Sequence, residues 1–258
     1  MQIPFTKYGW PQVVVYPAIT LAAMIILALF TTIGLPLWLI IVLEFVLALI
    51  LIWSLSFFRD PYRKTPSDEN ILFSPADGKI TEIEIVEGNE FIGSPAIKIG
   101  IFLSIFNVHI NRAPSNVKVG NIIYKKGQYK NAMNPESGRV NESNELQLVR
   151  TSNPADKLII RQISGTIARR IVCKTNKGKE LAAGEKFGMI KFGSRTELYV
   201  SVSGISKDKK NNVEKSDSGS EDMMLNSTIN KEYNIKCLVK SGDKVKAGLT
   251  PLLRYEKR

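Results

Sequence analysis

A long apolar segment near the N-terminus limits what this 258-residue chain can fold into. Residues 13–58 read VVVYPAITLAAMIILALFTTIGLPLWLIIVLEFVLALILIWSLSFF, in which Glu44 is the one charged residue. A single bilayer crossing takes about 20 apolar residues, and the apolar core of a signal peptide is shorter still. The break at Gly34-Leu35-Pro36 divides the run into about 13–33 and 36–58. The sequence therefore predicts two membrane helices joined by a tight turn, with a shallow re-entrant hairpin as the alternative.

Charged residues on either side of the run indicate its orientation. Lys7 precedes it, and Arg59, Arg63 and Lys64 follow it. Basic residues next to membrane helices stay preferentially on the cytoplasmic side. We therefore expect both ends of the hairpin, and the chain after it, on the cytoplasmic side of the cell membrane.

The remainder of the chain is strongly basic. Lys7 and Glu44 cancel, so residues 59–258 carry the whole formal net charge of +11. A basic body beside a membrane favours an anionic lipid surface as its partner, at about 1 kcal/mol for each nearby Lys or Arg. The sequence has no aromatic-basic RNA motif, helix-turn-helix pattern or zinc-finger spacing, so no nucleic-acid partner is expected.

After residue 58 the pattern changes to short β-type segments. Runs such as GKITEIEIVE and TELYVSVSG are rich in β-branched residues and are separated by Gly, Asn, Asp or Pro. We predict a hairpin domain over 1–58 and a mainly β, barrel- or sandwich-like domain over 59–258. Residues 207–231 are polar and charged, and we expect them to form a flexible insertion.

A faint internal repeat refines the fold prediction. GKELAAGE, from Gly178, and GDKVKAGL, from Gly242, share a Gly, an apolar residue three positions later, and Ala-Gly at the fifth and sixth positions. The second copy resembles the hairpin of biotinyl and lipoyl carrier domains, which implies a barrel-sandwich hybrid with two quasi-equivalent halves. Neither copy has the modified lysine of those carriers, which argues against a carrier function.

Three residues could together supply nucleophilic chemistry. His109 is the one histidine of the chain, which argues against zinc sites that need several histidines and leaves no metal site expected. If its segment is extended, Asn107, His109 and Asn111 share a face. Taken singly, His109 suits a structural hydrogen bond, Asp77 a turn, and Ser194 a β-bulge. A Ser, a His and an Asp are also the groups that make a hydroxyl nucleophilic, in whatever chain order the fold unites them.

Five ordered blocks carry a resemblance to a known family. They are similar, in order and spacing, to the short form of phosphatidylserine decarboxylase proenzymes, and the likeness extends from the apolar N-terminus to VKAGLTPLLR. The blocks are FFRDPYRKTP, SPADGKI, IFLSIFNVHINRAP, ARRIVC and GEKFGMIKFGSRTELYV.

The resemblance implies an enzyme that cuts itself and carries a covalent pyruvoyl group as cofactor. Ser194 is expected to attack the carbonyl of Gly193, with His109 as the base and Asp77 orienting it. The ester that forms is opened by elimination, and hydrolysis leaves a pyruvoyl group in place of Ser194. The products are a β chain of residues 1–193 and an α chain of residues 194–258, expected to stay together as a heterodimer, with further oligomerisation left open.

The same resemblance implies the substrate and the reaction. The pyruvoyl ketone forms a Schiff base with the amine of phosphatidylserine and withdraws electrons as carbon dioxide leaves. His109 then returns a proton, and the product is phosphatidylethanolamine. A membrane hairpin suits a lipid substrate.

Two departures from the family pattern affect the expected lipid contacts. Long-form members have a second histidine where this chain has Asn107, so the lipid phosphate is expected to meet Asn107, Arg112 or the pair Arg169-Arg170. The triplet at Asn141 reads NES, where short-form members often have NER. Two alternatives stay open: a membrane-tethered scaffold that never processes, and a decarboxylase of a serine lipid with ether tails.

Overall fold

A computed structural model describes residues 5–134, 136–166, 170–191, 193–202 and 233–257. The chain divides into two compact units. One comprises Met1–Tyr62 with Ile105–Val108, and the other comprises Arg63–Ser104 with His109–Arg258. Arg169 and the expected insertion at 207–231 lie outside the described residues.

The first unit contains two apolar helices. Helix α1 spans Gln12–Leu29 and continues as a 3₁₀ turn over Phe30–Ile33, and helix α2 spans Leu37–Phe57. Gly34, with φ of 88°, ends the first segment in the left-handed conformation that favours glycine. Both helices are long and apolar enough to cross a membrane, and most of their apolar side chains are exposed. The predicted helix pair is confirmed, and this exposed apolar surface indicates membrane association.

The chain enters and leaves this unit at neighbouring points. The amide of Thr6 donates to the carbonyl of Phe58 (2.9 Å), and Phe5 forms a β-bridge with Arg59. Arg59 Nη2 also donates to the carbonyl of Phe106 (2.7 Å), in the short segment that belongs to this unit. The two helices therefore form a hairpin that returns the chain to its starting end.

Among its described residues, the second unit is mainly β and includes one short helix, α3, at Ser137–Val140. In the described part of the chain its strands are β1 (Ile71–Phe73), β2 (Gly78–Val86), β3 (Ala96–Leu103), β4 (Ile110–Arg112), β5 (Val117–Lys125), β6 (Ser143–Arg150), β7 (Lys157–Ile163), β8 (Arg170–Cys173), β9 (Glu180–Leu181), β10 (Lys186–Lys191), β11 (Ser194–Ser201), β12 (Tyr233–Cys237), β13 (Lys244–Val245) and β14 (Pro251–Lys257).

These strands form one large curled sheet and two small sheets. The large sheet has the order β13-β2-β3-β11-β7-β6-β5-β9, and the small sheets have the orders β1-β14-β12 and β4-β10-β8. The strand orders show an internal symmetry. The order of the large sheet is reproduced in reverse, and the two small sheets are interchanged, when one set of strands is replaced by another: β1, β2, β3, β11, β12, β13 and β14 by β4, β5, β6, β7, β8, β9 and β10, in that order. The unit therefore consists of two quasi-equivalent halves, and the second half is inserted in the chain between β3 and β11 of the first.

Local structure repeats with the topology. The turn glycines of the two sequence repeats all have positive φ, 84° and 76° in the first copy and 97° and 70° in the second. Cys173 and Cys237 occupy equivalent positions, opposite Gly188 and Leu253. The predicted mainly β fold and its two related halves are confirmed.

The connections after β1 and β4 are also equivalent, and each is fastened to a repeat turn in the same way. Asp77 Oδ1 accepts a hydrogen bond from the amide of Ala247 (2.8 Å), and Asn116 Oδ1 accepts one from the amide of Ala183 (2.9 Å). Either side chain satisfies a turn amide that has no strand partner. The fold therefore requires an oxygen acceptor at this position, but it does not require that the acceptor be charged.

The core between the sheets is aliphatic. Both faces of the central strands are largely buried, and the fully buried side chains include Ile97, Ile99, Ile101, Leu158 and Leu198. Burying a side chain of this size stabilises a fold by about 1.5–3 kcal/mol. The core thus fixes the central strands, which carry the candidate site at their ends.

We predict that replacing Asn116 by Ala lowers the free energy of unfolding by about 1 kcal/mol, because the Ala183 amide loses its acceptor. Asn116→Asp keeps the oxygen and is expected to lose much less. Urea denaturation of the full chain in detergent micelles measures both. Equal losses for the two variants would contradict the assigned role of the oxygen.

Candidate active site

Ser194 is the first residue of β11 and follows a bend at Gly193. The pairing of β11 with β3 runs from Ser194 to Ser201 without a register shift, so the expected bulge is not present. Gly193 has φ of 56°, a left-handed conformation in which a residue with a side chain would be strained. The Ser194 side chain is fully buried, and its Oγ has no hydrogen-bond partner in the described part of the chain. A buried hydroxyl without a partner is costly, and such a group often has a chemical role.

His109 directly precedes β4 and is fully buried. Its carbonyl accepts a hydrogen bond from the amide of Ile190 (3.2 Å), near the end of β10. Gly193 and Ser194 follow β10 along the chain. Asn107 lies in a bend of the helical unit and not in a strand, so the condition for Asn107, His109 and Asn111 to share a face is not met.

Asp77 lies in the connection between β1 and β2, where it is paired with Arg63. The guanidinium donates to both carboxylate oxygens, at 2.5 and 2.7 Å, and the two side chains are 6% and 9% exposed. Arg63 also donates to the carbonyl of Ala247 (3.0 Å). The equivalent Asn116 is neutral, so the charge of Asp77 is a feature beyond the needs of the turn.

Asn111 brings the three segments together. Its side-chain amide donates to the carbonyl of Pro75 (3.3 Å), two residues before Asp77, and to Thr196 Oγ1 (3.0 Å), two residues after Ser194. Asn111 itself follows His109 by two residues. The segments that carry the three predicted catalytic residues therefore meet at one buried side chain, and the roles assigned to those residues remain predictions.

Further buried amides hold Asn111 in place. Gln162 Nε2 donates to Asn111 Oδ1 (2.9 Å), and Asn144 Nδ2 donates to Gln162 Oε1 (3.0 Å). All of these side chains are buried. Because each of the donated bonds fixes an amide orientation, this chain of amides gives β4, β7 and β11 one relative arrangement.

An ionic cluster, formed by Arg195, Glu197, Glu82, Lys98 and Arg161, lies on the opposite face of β11. Side chains alternate along a strand, so Arg195 and Glu197 point away from the face that carries Ser194 and Thr196. Arg195 is fully buried and donates to Glu197 (2.9 Å) and to Glu82. Burial alone would lower the pKa of the Lys98 amine, but the nearby carboxylates of Glu197 and Glu82 raise it above its ordinary value.

A cavity of about 340 Å³ lies against this cluster, between Lys98, Arg161, Glu82 and Glu197. These four charged groups are paired with one another: Lys98 lies 2.6 Å from Glu82, and Arg161 lies 3.8 Å from Glu197. The cavity is separate from the face of β11 that carries Ser194.

The remaining predicted contact residues differ in their availability. Arg112 is buried and donates to the carbonyl of Gly184 (3.0 Å), so its guanidinium has a structural hydrogen bond. Arg170 is exposed and lies opposite Lys191 in the β8–β10 pair. Burial, and then the positive charge of Arg170, lower the pKa of the Lys191 amine. Arg170 is thus the described member of the predicted set with an exposed side chain.

Sequence reasoning did not identify Arg63 as part of the site. In the sequence, Arg63 is a basic residue next to the membrane segment and belongs to the block FFRDPYRKTP, and neither feature indicates a partner for it. A buried carboxylate such as that of Asp77 needs a cation, but its burial is a property of the fold and leaves no signal in the sequence.

The chain is similar to known proteins of one family. A family model described as phosphatidylserine decarboxylase matches residues 50–252. A phosphatidylserine decarboxylase proenzyme of Desulfotalea psychrophila is 43% identical over 62% of this chain and 73% of its own length. Proenzymes of Pelodictyon phaeoclathratiforme and Rhodopirellula baltica are 38% and 39% identical, over 76% and 77% of this chain and 88% and 78% of their own lengths.

We predict that Arg63→Met lowers the free energy of unfolding by about 3–5 kcal/mol, because it leaves the buried carboxylate of Asp77 without its cation. Adding Asp77→Asn should recover part of this loss, since the neutral amide still accepts from Ala247. Denaturation of the full chain in detergent micelles gives the double-mutant cycle. The exposed neighbour Lys64, changed to Met, is the matched control; a loss as large as that of Arg63→Met would contradict the assignment.

Proposed function

The chain belongs to the phosphatidylserine decarboxylase family, and from that premise we propose that it cuts itself between Gly193 and Ser194 and then converts phosphatidylserine to phosphatidylethanolamine and carbon dioxide. One observation carries the proposal: the buried Ser194 hydroxyl, without a partner in the described part of the chain, follows a glycine held at a φ of 56°. Glycine has no side chain to shield its carbonyl, which permits a close approach to the backbone there.

These residues also fit the expected covalent pyruvoyl group, which derives from Ser194. The buried position excludes bulk water from residue 194, and the preceding glycine tolerates the backbone change at the cut. The ketone of a pyruvoyl group supplies an attachment point for the substrate amine and accepts electrons from the breaking carboxylate bond.

Self-cleavage is proposed to start with Ser194 Oγ. The hydroxyl oxygen forms a bond to the Gly193 carbonyl carbon, the bond from that carbon to the Ser194 nitrogen breaks, and the hydroxyl proton passes to the nitrogen. Loss of the Ser194 α-proton then breaks the Cβ–Oγ bond and releases the Gly193 carboxylate. Addition of one water and loss of one ammonia complete the conversion. The two fragments together thus differ from the intact chain by one added water and one lost ammonia.

His109 is the proposed proton carrier for these steps. It is the single histidine of the chain, it is buried, and its carbonyl accepts from Ile190, four residues before Ser194. An imidazole can both remove and return a proton near neutral pH. We propose that Asp77 orients the His109 ring. We also propose that the ion pair of Arg63 with Asp77 sets the charge of the neighbouring loop.

The two fragments are proposed to remain one heterodimer. Strands β11, β13 and β14, all after the cut, pair with β3, β7, β2 and β1, all before it. Bonds such as Ala247 N to Asp77 Oδ1 (2.8 Å) and Gly248 N to Ser74 O (2.8 Å) also join the two fragments. These contacts do not depend on the peptide bond at 193.

The lipid contacts are proposed in outline. The apolar helices would hold the protein in the cell membrane, with the β unit on the cytoplasmic side, where the basic unit meets anionic lipid. Arg170 is the proposed contact for the lipid phosphate. Its side chain is exposed, and a guanidinium can donate two hydrogen bonds to phosphate oxygens.

Intact mass of the purified protein tests the proposal. We expect two chains, 1–193 and 194–258, the second with a blocked N-terminus that carries a ketone in place of the serine amine and hydroxymethyl group. A single uncut chain would instead support the scaffold alternative. Accumulation of an ether-tailed serine lipid in cells that lack the protein would identify the other alternative.

Ser194→Ala is expected to abolish cleavage and decarboxylation together, because it removes both the nucleophile and the precursor of the pyruvoyl group. His109→Ala should slow cleavage by about 10²–10⁴-fold, the usual contribution of a general base. Gel analysis of fragment formation over time measures both. A Ser194→Ala chain that still splits after residue 193 would refute the assignment.

A further inference from the structure

Gly165 lies opposite the peptide bond that is proposed to be cut. In the antiparallel pair of β11 and β7, Arg195 is opposite Ile163. Two more residues along each chain, in the opposite directions that an antiparallel pair requires, bring Gly165 level with Gly193. Gly165 follows the last residue of β7 by two positions and is buried.

The backbone at Gly165 is in direct contact with the Gly193 carbonyl group. A methyl group added to Gly165 would overlap the Gly193 carbonyl oxygen and lie 3.1 Å from its carbonyl carbon. The same methyl group would lie 3.1 Å from Cβ of Ala132. Since φ of Gly165 is not in the left-handed range, backbone strain does not require glycine here, and the close approach of the Gly193 carbonyl does.

The segment that carries Gly165 is firmly held. The amide of Ser164 donates to the carbonyl of Glu142 (2.9 Å). Asn141 Nδ2 donates to the carbonyl of Ser164 (2.8 Å), and both side chains are fully buried. Asn141 is the first residue of the NES triplet, so this triplet anchors the surface on which the Gly193 carbonyl lies.

We propose that Gly165 is a positioning residue for self-cleavage: its missing side chain lets the Gly193 carbonyl lie against the β7 end, in the orientation that Ser194 attacks. The role assumes the self-cleavage proposed above. As Oγ bonds to the carbonyl carbon, negative charge gathers on the carbonyl oxygen, and the carbon–nitrogen bond then breaks with the proton on the nitrogen. A side chain at residue 165 would move that oxygen before the attack, and small misplacements of a reacting group cost large factors in rate.

The test compares Gly165→Ala with the unchanged chain, each made by cell-free translation with phospholipid vesicles, and follows the fragments on gels. We expect cleavage to slow by about 10²-fold or more, the scale on which a displacement of about 1 Å of a reacting group slows a reaction. Two matched controls should cleave at the unchanged rate. Gly120→Ala adds a methyl group whose nearest neighbour is 3.3 Å away, and Thr166→Ala changes an exposed residue of the same loop.

A second variant separates carbonyl positioning from simple crowding. Ala132→Gly together with Gly165→Ala removes the Ala132 methyl group and keeps the overlap with Gly193. Thermal midpoints are compared in a Ser194→Ala background, where every chain stays intact. We expect the double variant to regain stability and to remain slow in cleavage. Recovery of the cleavage rate along with stability would overturn the proposal, because crowding against Ala132 would then be the cause.

Hydroxylamine identifies the step that is lost. It cleaves an ester at residue 193 but not a peptide bond, so it reports whether Ser194 has attacked. We expect hydroxylamine not to restore cleavage of Gly165→Ala. Restored cleavage would show that the ester forms and would overturn the proposal. An uncut unchanged chain would defeat the proposed function itself, whereas equal cleavage of Gly165→Ala and the unchanged chain would defeat the role of Gly165 alone.

Discussion

Pairing of β11 between β3 and β7 is the interaction on which the rest of the structure depends. Among the strands that the structure describes, it is the one place where the two quasi-equivalent halves share a continuous sheet, since β3 and β11 belong to the first half and β7 to the second. The same pairing places Ser194 at the strand start, next to the junction where the chain leaves the inserted half. The candidate nucleophile is thus located by the ladder that unites the fold.

The two faces of β11 have different tasks. Thr196 shares the Ser194 face and is bonded to Asn111, whereas Arg195 and Glu197 enter the ionic cluster on the other face. A buried ion pair stabilises little in net terms, but breaking one is costly, so the cluster opposes any shift in register. Glycines make room for it: a methyl group on Gly138 would lie 2.5 Å from Glu197 Oε1, and one on Gly100 would overlap Arg195 Nη2.

The sequence predicted the large features because they have strong local signals. Gly34 and Pro36 are enough to show that the apolar run is broken into two segments. The repeated turn glycines can likewise be identified directly from the sequence. Contacts between distant segments leave no such signal. Neither the pairing of Arg63 with Asp77 nor the position of Gly165 opposite Gly193 follows from composition or spacing. The first depends on how two irregular segments pack, and the second on strand register. The condition that the segment around His109 is extended is not met before Ile110, since a turn precedes β4.

The position of the proposed cut follows from the two-half architecture. A break within any strand would remove ladder bonds, and a break in a repeat turn would release an amide such as that of Ala247 from its acceptor. At Gly193 the chain only passes from the inserted half back to the first half, and the strands on both sides keep their partners. The first half would then remain closed by strands from both fragments, and the inserted half, β4–β10, would lie wholly in the fragment before the cut. Cleavage at such a junction disturbs the fold less than cleavage elsewhere, because no strand pairing is broken. Gly193, with its left-handed backbone, lies at this junction.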